Sequence, residues 1–324
     1  LEEPEFAPWD VVFLPIPFEM TTSYREGTEF GPAACIEASS QVELFDSILP
    51  SELPCGMRIH TTTPWSSESP TLLDSLDSIR DYVAPWMNGE QFPIVLGGEH
   101  GILPPLMAAA SGHPALAGDL SKLTVVQIDA HADLRDELNE ERFSHGTVIR
   151  RSLDAGVGKV IQIGVRAYCE EEAEFIESDE RVETWFAKDI FSVTNNKAGW
   201  KNLIQRICDI EGEIWLTFDI DGLDGSLVPA TGTPVPGGLS YWQVVETIET
   251  LFNAQKATVI SADVNEIVPQ QDSPLTQFTA AMLTTKIVAH HINAKESGRW
   301  NSVAQKSGKN RMIGTSKFFQ EEGN

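Results

Sequence analysis

Asp129-Ala130-His131-Ala132-Asp133 follows directly on the apolar run Leu123–Ile128. Alternate residues of an extended chain share a face, so two carboxylates and an imidazole point the same way at the end of a buried strand. Such a trio can bind a metal, although a hydrogen-bonded turn could use the same groups. Asp219 and Asp221 repeat the spacing after the apolar run 213–218. His100 closes Gly97-Gly98-Glu99-His100 after the run 93–96, Asp263-Val264-Asn265-Glu266 follows the run 257–262, and Val11–Ile16 leads into Glu19. In a parallel sheet, ligands gather at the carboxyl ends of strands, where all of these residues fall.

His100, Asp129, His131, Asp133, Asp219 and Asp221 are therefore candidate metal ligands. Four carboxylates cannot be gathered without cations, and six donors suit two ions sharing a bridging carboxylate. Oxygen donors with imidazole favour Mn²⁺, while Ni²⁺, Co²⁺ or Zn²⁺ could take the same ligands. Two ions about 3.5–4 Å apart acidify a shared water, so the implied chemistry is metal-assisted hydrolysis. His60, His113, His290 and His291 lack acidic neighbours at ligand spacing and are assigned to packing or surface.

The elements that must carry these residues are short β-branched runs alternating with helical patterns. Besides the runs above, Lys159–Val165 and Val182–Phe186 read as strands. Near-continuous apolar strands between helices predict one parallel sheet covered on both faces. Ser240 and Gln243 form a capping-box pattern opening a helix through about Asn253; residues 74–84 have helical spacing, and Pro104-Pro105 suits a first helical turn. Residues 50–70, rich in Pro, Ser and Thr, read as the longest loop. Residues 294–324, polar and relatively basic, read as peripheral.

With 324 residues, 41% hydrophobic and 22% charged, the chain has an ordinary globular composition. Its net charge of −25 argues against a nucleic-acid partner and suits solubility or the attraction of cationic ligands. No apolar run reaches the ~18 residues of a membrane span. The widely spaced Cys35, Cys55, Cys169 and Cys208 read as reduced thiols, so the expected location is cytoplasmic, with a removed targeting segment left open.

The motifs around His100, Asp129–Asp133, Ser144-His145-Gly146-Thr147, Asp219–Asp224 with residues 229–239, and Asp263–Glu266 resemble, in order, those of the ureohydrolase family of arginases and agmatinases. The resemblance spans about residues 10–295. It implies a single catalytic domain, residues 1–324 with 296–324 peripheral, and a three-layer α/β/α sandwich around an eight-stranded, mainly parallel sheet. It implies two Mn²⁺ per subunit and a homo-oligomer, trimer or hexamer.

By the same resemblance, His100, Asp133 and Asp219 are similar to the ligands of one ion and His131 and Asp221 to those of the other, with Asp129 and Asp219 bridging. Asp133 resembles the group that passes a proton to the leaving amine, His145 the proton shuttle, and Glu266 the carboxylate that receives the guanidinium. The chemistry is consistent with these roles. A guanidinium needs a carboxylate to orient it and offset its charge, and an unperturbed histidine, with a pKa of ~6.5, transfers protons at neutral pH. Asp224 is expected to hold the loop nearby through hydrogen bonds, and residues 229–238 to form a rigid turn over the site.

Leu134-Arg135-Asp136-Glu137 with Ser144-His145, and Thr22-Ser23-Tyr24-Arg25, look like the agmatinase branch; Glu19 departs from it, since many agmatinases carry Asp there. The leading expectation is a small cationic guanidino substrate, agmatine, split to putrescine and urea. Guanidinobutyrate, guanidinopropionate or guanidine is the alternative, with Arg135 or Arg142 holding a carboxylate tail. A metal-binding regulatory or scaffold protein without catalysis is disfavoured by the presence of His145 and Glu266.

Overall fold

The computed structural model describes residues 9–69, 71–192 and 199–302. Among these, strands β1 (Val11–Ile16), β2 (Ile59–Thr61), β3 (Phe92–Gly97), β4 (Leu123–Ile128), β5 (Lys159–Val165), β6 (Val182–Phe186), β7 (Glu211–Asp219) and β8 (Lys256–Asn265) form one sheet. Its order is β2-β1-β3-β8-β7-β4-β5-β6, and every pairing is parallel.

The central strands are largely apolar and buried because both faces of the sheet are covered. Ile94, Val126, Ile163, Leu216 and Phe218 face helices Gly31–Ser39, Trp200–Cys208, Tyr241–Asn253 and Leu275–Glu296. Val12, Leu14, Val95, Val125, Val160 and Trp215 face helices Leu72–Val83, Leu103–Ala110 and Val148–Asp154. Burying each of the larger side chains is worth ~1.5–3 kcal/mol, so the two faces specify a three-layer α/β/α sandwich.

The local helix signals hold. Ser240 accepts from Gln243 N in a capping box, Thr71 caps the helix Leu72–Val83, and the helix Leu103–Ala110 has proline in its first turn. Two expectations need correction. The segment 50–70 is not all loop, because Ile59–Thr61 adds an edge strand beside Val11–Phe13; two half-exposed residues and an exposed threonine carry too little apolar pattern to announce a strand. Residues 294–302 are not peripheral, since Ala294 and Trp300 are buried and Trp300 stacks edge-on against His291. The remainder of that segment, 303–324, lies outside the described residues.

Candidate metal centre

The neighbouring strands β3, β8, β7 and β4 end together, and their carboxyl ends supply the candidate ligands. Ile128 is paired with Phe218 and Asp219 with Asn265, so Asp129, Asp219 and Glu266 leave the sheet at adjacent levels. Asp129 Oδ2 lies 3.3 Å from His100 Nδ1, and Asp133 Oδ2 lies 3.2 Å from the same atom. Asp129 Oδ1 is 3.6 Å from His131 Nδ1, which is 3.1 Å from Asp221 Oδ2. Two compact donor groups result, His100/Asp129/Asp133 and Asp129/His131/Asp221, with Asp129 common to both. Asp219 joins the first more loosely, 3.7 Å from His100 Nδ1, while its Oδ1 accepts from Asp221 N.

These residues fit a pair of cations, and His100 shows why. Its Nε2 meets Thr217 Oγ1 at 2.8 Å, and that hydroxyl donates to Asp263 Oδ1 at 2.8 Å. With the threonine proton committed, Nε2 must be the N–H donor, and Nδ1 turns its lone pair toward three carboxylates. Nδ1 is buried without a hydrogen-bond partner. Such an atom calls for a proton or a metal ion.

Electrostatics agree. Burial opposes charge on His100, yet Asp129 and Asp133 hold its pKa well above the ordinary value. Burial likewise opposes charge on His131, and Asp221 and Asp129 raise it to about 12. Burial and the Asp129 carboxylate push Asp133 up to about 7; burial, Asp221 and Asp129 push Asp219 well up. The cluster is too negative for all its carboxylates to ionise without cations.

Supports missed in the sequence surround the ligands. Thr184 Oγ1 donates to Gln162, Gln162 to Gln127, and Gln127 Nε2 to Asp129 Oδ2 at 2.8 Å, a ladder across β6, β5 and β4. Arg166 donates to Pro236, Gly164, Asp221, Leu223 and Val235 carbonyls, stapling the loops after β5 and β7. Gly238 permits this approach, since a Cβ there would lie 2.6 Å from Arg166 Nη2, and Gly222 lets the β7 loop close on the end of β4, since a Cβ there would lie 2.8 Å from Asp129 N. Nothing in the local pattern of Gln127 or Arg166 marks these roles, because their partners are distant in sequence.

A cavity of about 350 Å³ opens over the donors. Glu266 faces it from a left-handed backbone (φ 65°), and Asp133 shares that conformation (φ 54°). Non-glycine residues adopt it at a cost of ~1–3 kcal/mol, a strain that clusters at functional sites. Glu266 N donates to Gly98 O, its Oε1 accepts from His100 N at 2.7 Å, and burial pushes its pKa up to about 8. Gly232 lies against its other oxygen: a Cβ there would sit 3.2 Å from Oε2.

His145 also lines the cavity, but it is not the unperturbed loop histidine expected. It opens the turn His145–Thr147, capped by Ser144, and burial lowers its pKa to about 4, so the ring is neutral. Glu99, unassigned within its motif, is fully buried; burial raises its pKa while Thr21 and Met20 donate to it.

Away from the centre, Asp224 accepts from Ser226, Gly237 and Gly238 N–H groups and holds that turn. Glu19 accepts from Gly27 N, Thr28 N and Thr28 Oγ1 and shapes the β1 loop. Arg135 lines the cavity, whereas Arg142 lies in a separate cleft. His290 and His291 are core residues, His291 stacking on Phe92 at 4.1 Å, and His60 stacks on Trp9.

An all-parallel α/β/α sandwich with a shared-carboxylate His/Asp centre at adjacent strand ends defines a metal-site α/β protein. Residues 9–290 match the Arginase family model, and the chain belongs to that family of binuclear-metal enzymes. It is 35% identical to an N(1)-aminopropylagmatine ureohydrolase of Synechocystis sp. over 286 residues, 86% of this chain and 88% of the relative. It is 31% identical to an agmatinase of Pyrococcus horikoshii, covering 86% of this chain and 91% of that protein. The solved agmatine ureohydrolase of Thermoplasma volcanium superposes with a TM-score of 0.74 at 26% identity, covering 90% of this chain and 92% of that one. The chain is a hydrolase of guanidino C–N bonds. Among the described residues, no helix is long and apolar enough to cross a membrane.

Proposed function

We propose that the protein hydrolyses a small linear guanidino-amine, agmatine first, to urea and the free amine, putrescine. The observation that carries this reading is Asp129, which turns one oxygen to His100 and the other to His131 beneath a cavity walled by Glu266. His100, Asp133 and Asp219 would hold one Mn²⁺, His131 and Asp221 the other, with Asp129 and Asp219 shared. When bound, the two ions supply a water acidified toward neutrality.

The chain's own groups do the rest. Glu266 orients the guanidinium by charge-assisted hydrogen bonds and offsets its charge; Oε2 is the oxygen left for this, since Oε1 accepts from His100 N. Asp133 passes a proton to the amine nitrogen as the C–N bond breaks. His145, neutral at pH 7, exchanges protons between the cavity and solvent.

The substrate tail is where a second reading has its own support. Glu172, buried in the cavity wall, spends its oxygens on Leu134 N and Cys169 N, and Arg135 Nε is 3.9 Å from it. A carboxylate tail would find Arg135 there. Urea release from agmatine, aminopropylagmatine, guanidinobutyrate, guanidinopropionate, guanidine and arginine, with metal content measured on the same sample, separates the readings. A higher kcat/KM for agmatine than for arginine is expected. Preference for guanidinobutyrate would transfer the assignment to the Arg135 reading, and preference for arginine would sink both.

A further inference from the structure

One hydroxyl holds His145 from two sides. Thr21 Oγ1 accepts the His145 backbone N–H at 3.1 Å and lies 3.4 Å from His145 Nδ1, while donating its own proton to Glu99 Oε1 at 2.7 Å. Glu99 Oε2 accepts Met20 N at 2.9 Å and Thr21 N at 2.7 Å, fixing the loop that presents the hydroxyl. Both backbone N–H groups fall on Oε2 and the hydroxyl on Oε1, and the ionised carboxylate has no proton of its own to give, so it accepts at both oxygens.

A threonine hydroxyl has one proton and two lone pairs. Here the proton goes to Glu99 and one lone pair to the backbone N–H, so His145 Nδ1 can meet the remaining lone pair only as an N–H donor. Nε2 then carries the ring's lone pair, beside Ser23 Oγ at 3.3 Å, and both Ser23 and His145 line the cavity.

We propose that Glu99, acting through Thr21, fixes His145 as the Nδ1–H tautomer and leaves Nε2 as the nitrogen that takes and returns protons in the cavity. Glu99 and Thr21 are positioning residues, and their catalytic importance rests on the role proposed above for His145. The tautomer itself does not depend on that role.

The test is a long-range ¹H–¹⁵N spectrum of full-length, ¹⁵N-histidine-labelled protein loaded with diamagnetic Zn²⁺. Such a spectrum distinguishes protonated from unprotonated ring nitrogens, and His145→Asn identifies the signals. The Nδ1–H form is expected in the unaltered protein. Glu99→Gln turns a donor toward Thr21, which reverses the chain: the hydroxyl then donates to Nδ1 and the ring switches to Nε2–H. In the enzyme, kcat should fall on the order of 10- to 100-fold with KM little changed.

Thr21→Ser should keep the tautomer and recover turnover lost in Thr21→Val, a pair that carries the test if Glu99→Gln does not fold. An Nε2–H ring in the unaltered protein, or an unswitched ring in folded Glu99→Gln, overturns the proposal. If no guanidino compound yields urea, the proposed function fails while the tautomer result stands.

Discussion

Gly232→Ala places one methyl group where the substrate's guanidinium is expected. The added Cβ would lie 3.2 Å from Glu266 Oε2, inside ordinary carbon–oxygen contact, and the next neighbour, Arg25 O, is 3.9 Å away. Glu266 cannot simply retreat, because Oε1 is bonded to His100 N and its backbone N to Gly98 O. The methyl therefore shields Oε2. Losing one charge-assisted hydrogen bond costs ~1.5–3 kcal/mol, or roughly a 10- to 150-fold fall in kcat/KM. Gly232 is not in a left-handed conformation, so alanine adds no backbone strain, and Tm and bound metal should stay near those of the unaltered protein. Steady-state urea release on the preferred guanidino substrate, with thermal melting and metal analysis, is the assay. Unchanged kcat/KM would refute the placement of the guanidinium, as would an activity loss that merely tracks lost metal.

Asp129→Asn should abolish urea release and lower bound metal, since Asp129 faces both histidines; normal turnover at normal metal content would contradict the shared-carboxylate centre. Glu266→Gln should retain metal yet lose activity by roughly two or more orders of magnitude, and near-normal turnover would remove Glu266 from the mechanism. His290, in the helix Leu275–Glu296, has its pKa lowered from 6.5 to about 4 by burial. The unfolded chain thus binds this proton first, so the stability contribution is complete above pH ~6.5 and is lost as pH falls toward 4, by at most ~3 kcal/mol. Urea-unfolding midpoints of His290→Gln and the unaltered chain at pH 7.5, 6 and 5 should show a shallower acid loss in the variant, and parallel curves would exclude His290 as the cause.

The strands of the site region were legible because their cause is local. Leu123–Ile128 is buried at every position, four of its six residues being Leu, Val or Ile, and ends where Asp129 begins, and the spacing of Asp129, His131 and Asp133 needs no tertiary information to place them on one face. The edge strand Ile59–Thr61 was not legible, since its pairing with β1 supplies what its three residues lack. Ala294, in the last turn of the helix Leu275–Glu296, and Trp300, just past its end, escape the sequence for a related reason: a polar average over 294–324 hides the two residues that reach the core.

By itself the sequence determined the donor types, their strand-end positions and the fold class, all set by side-chain chemistry and short periodicities. Only the tertiary structure decided which carboxylate is common to both donor groups. It alone set the direction of the His100–Thr217–Asp263 chain, the bare face that Gly232 leaves beside Glu266, and the Glu99–Thr21 hold on His145. The physical reason is that the strand order β3-β8-β7-β4, with the loops that follow its strands, brings together residues far apart in the chain, 46 positions for Thr217 and Asp263 and 117 for His100 and Thr217. Hydrogen-bond direction and close contact belong to such meetings, and no window along the chain contains both partners.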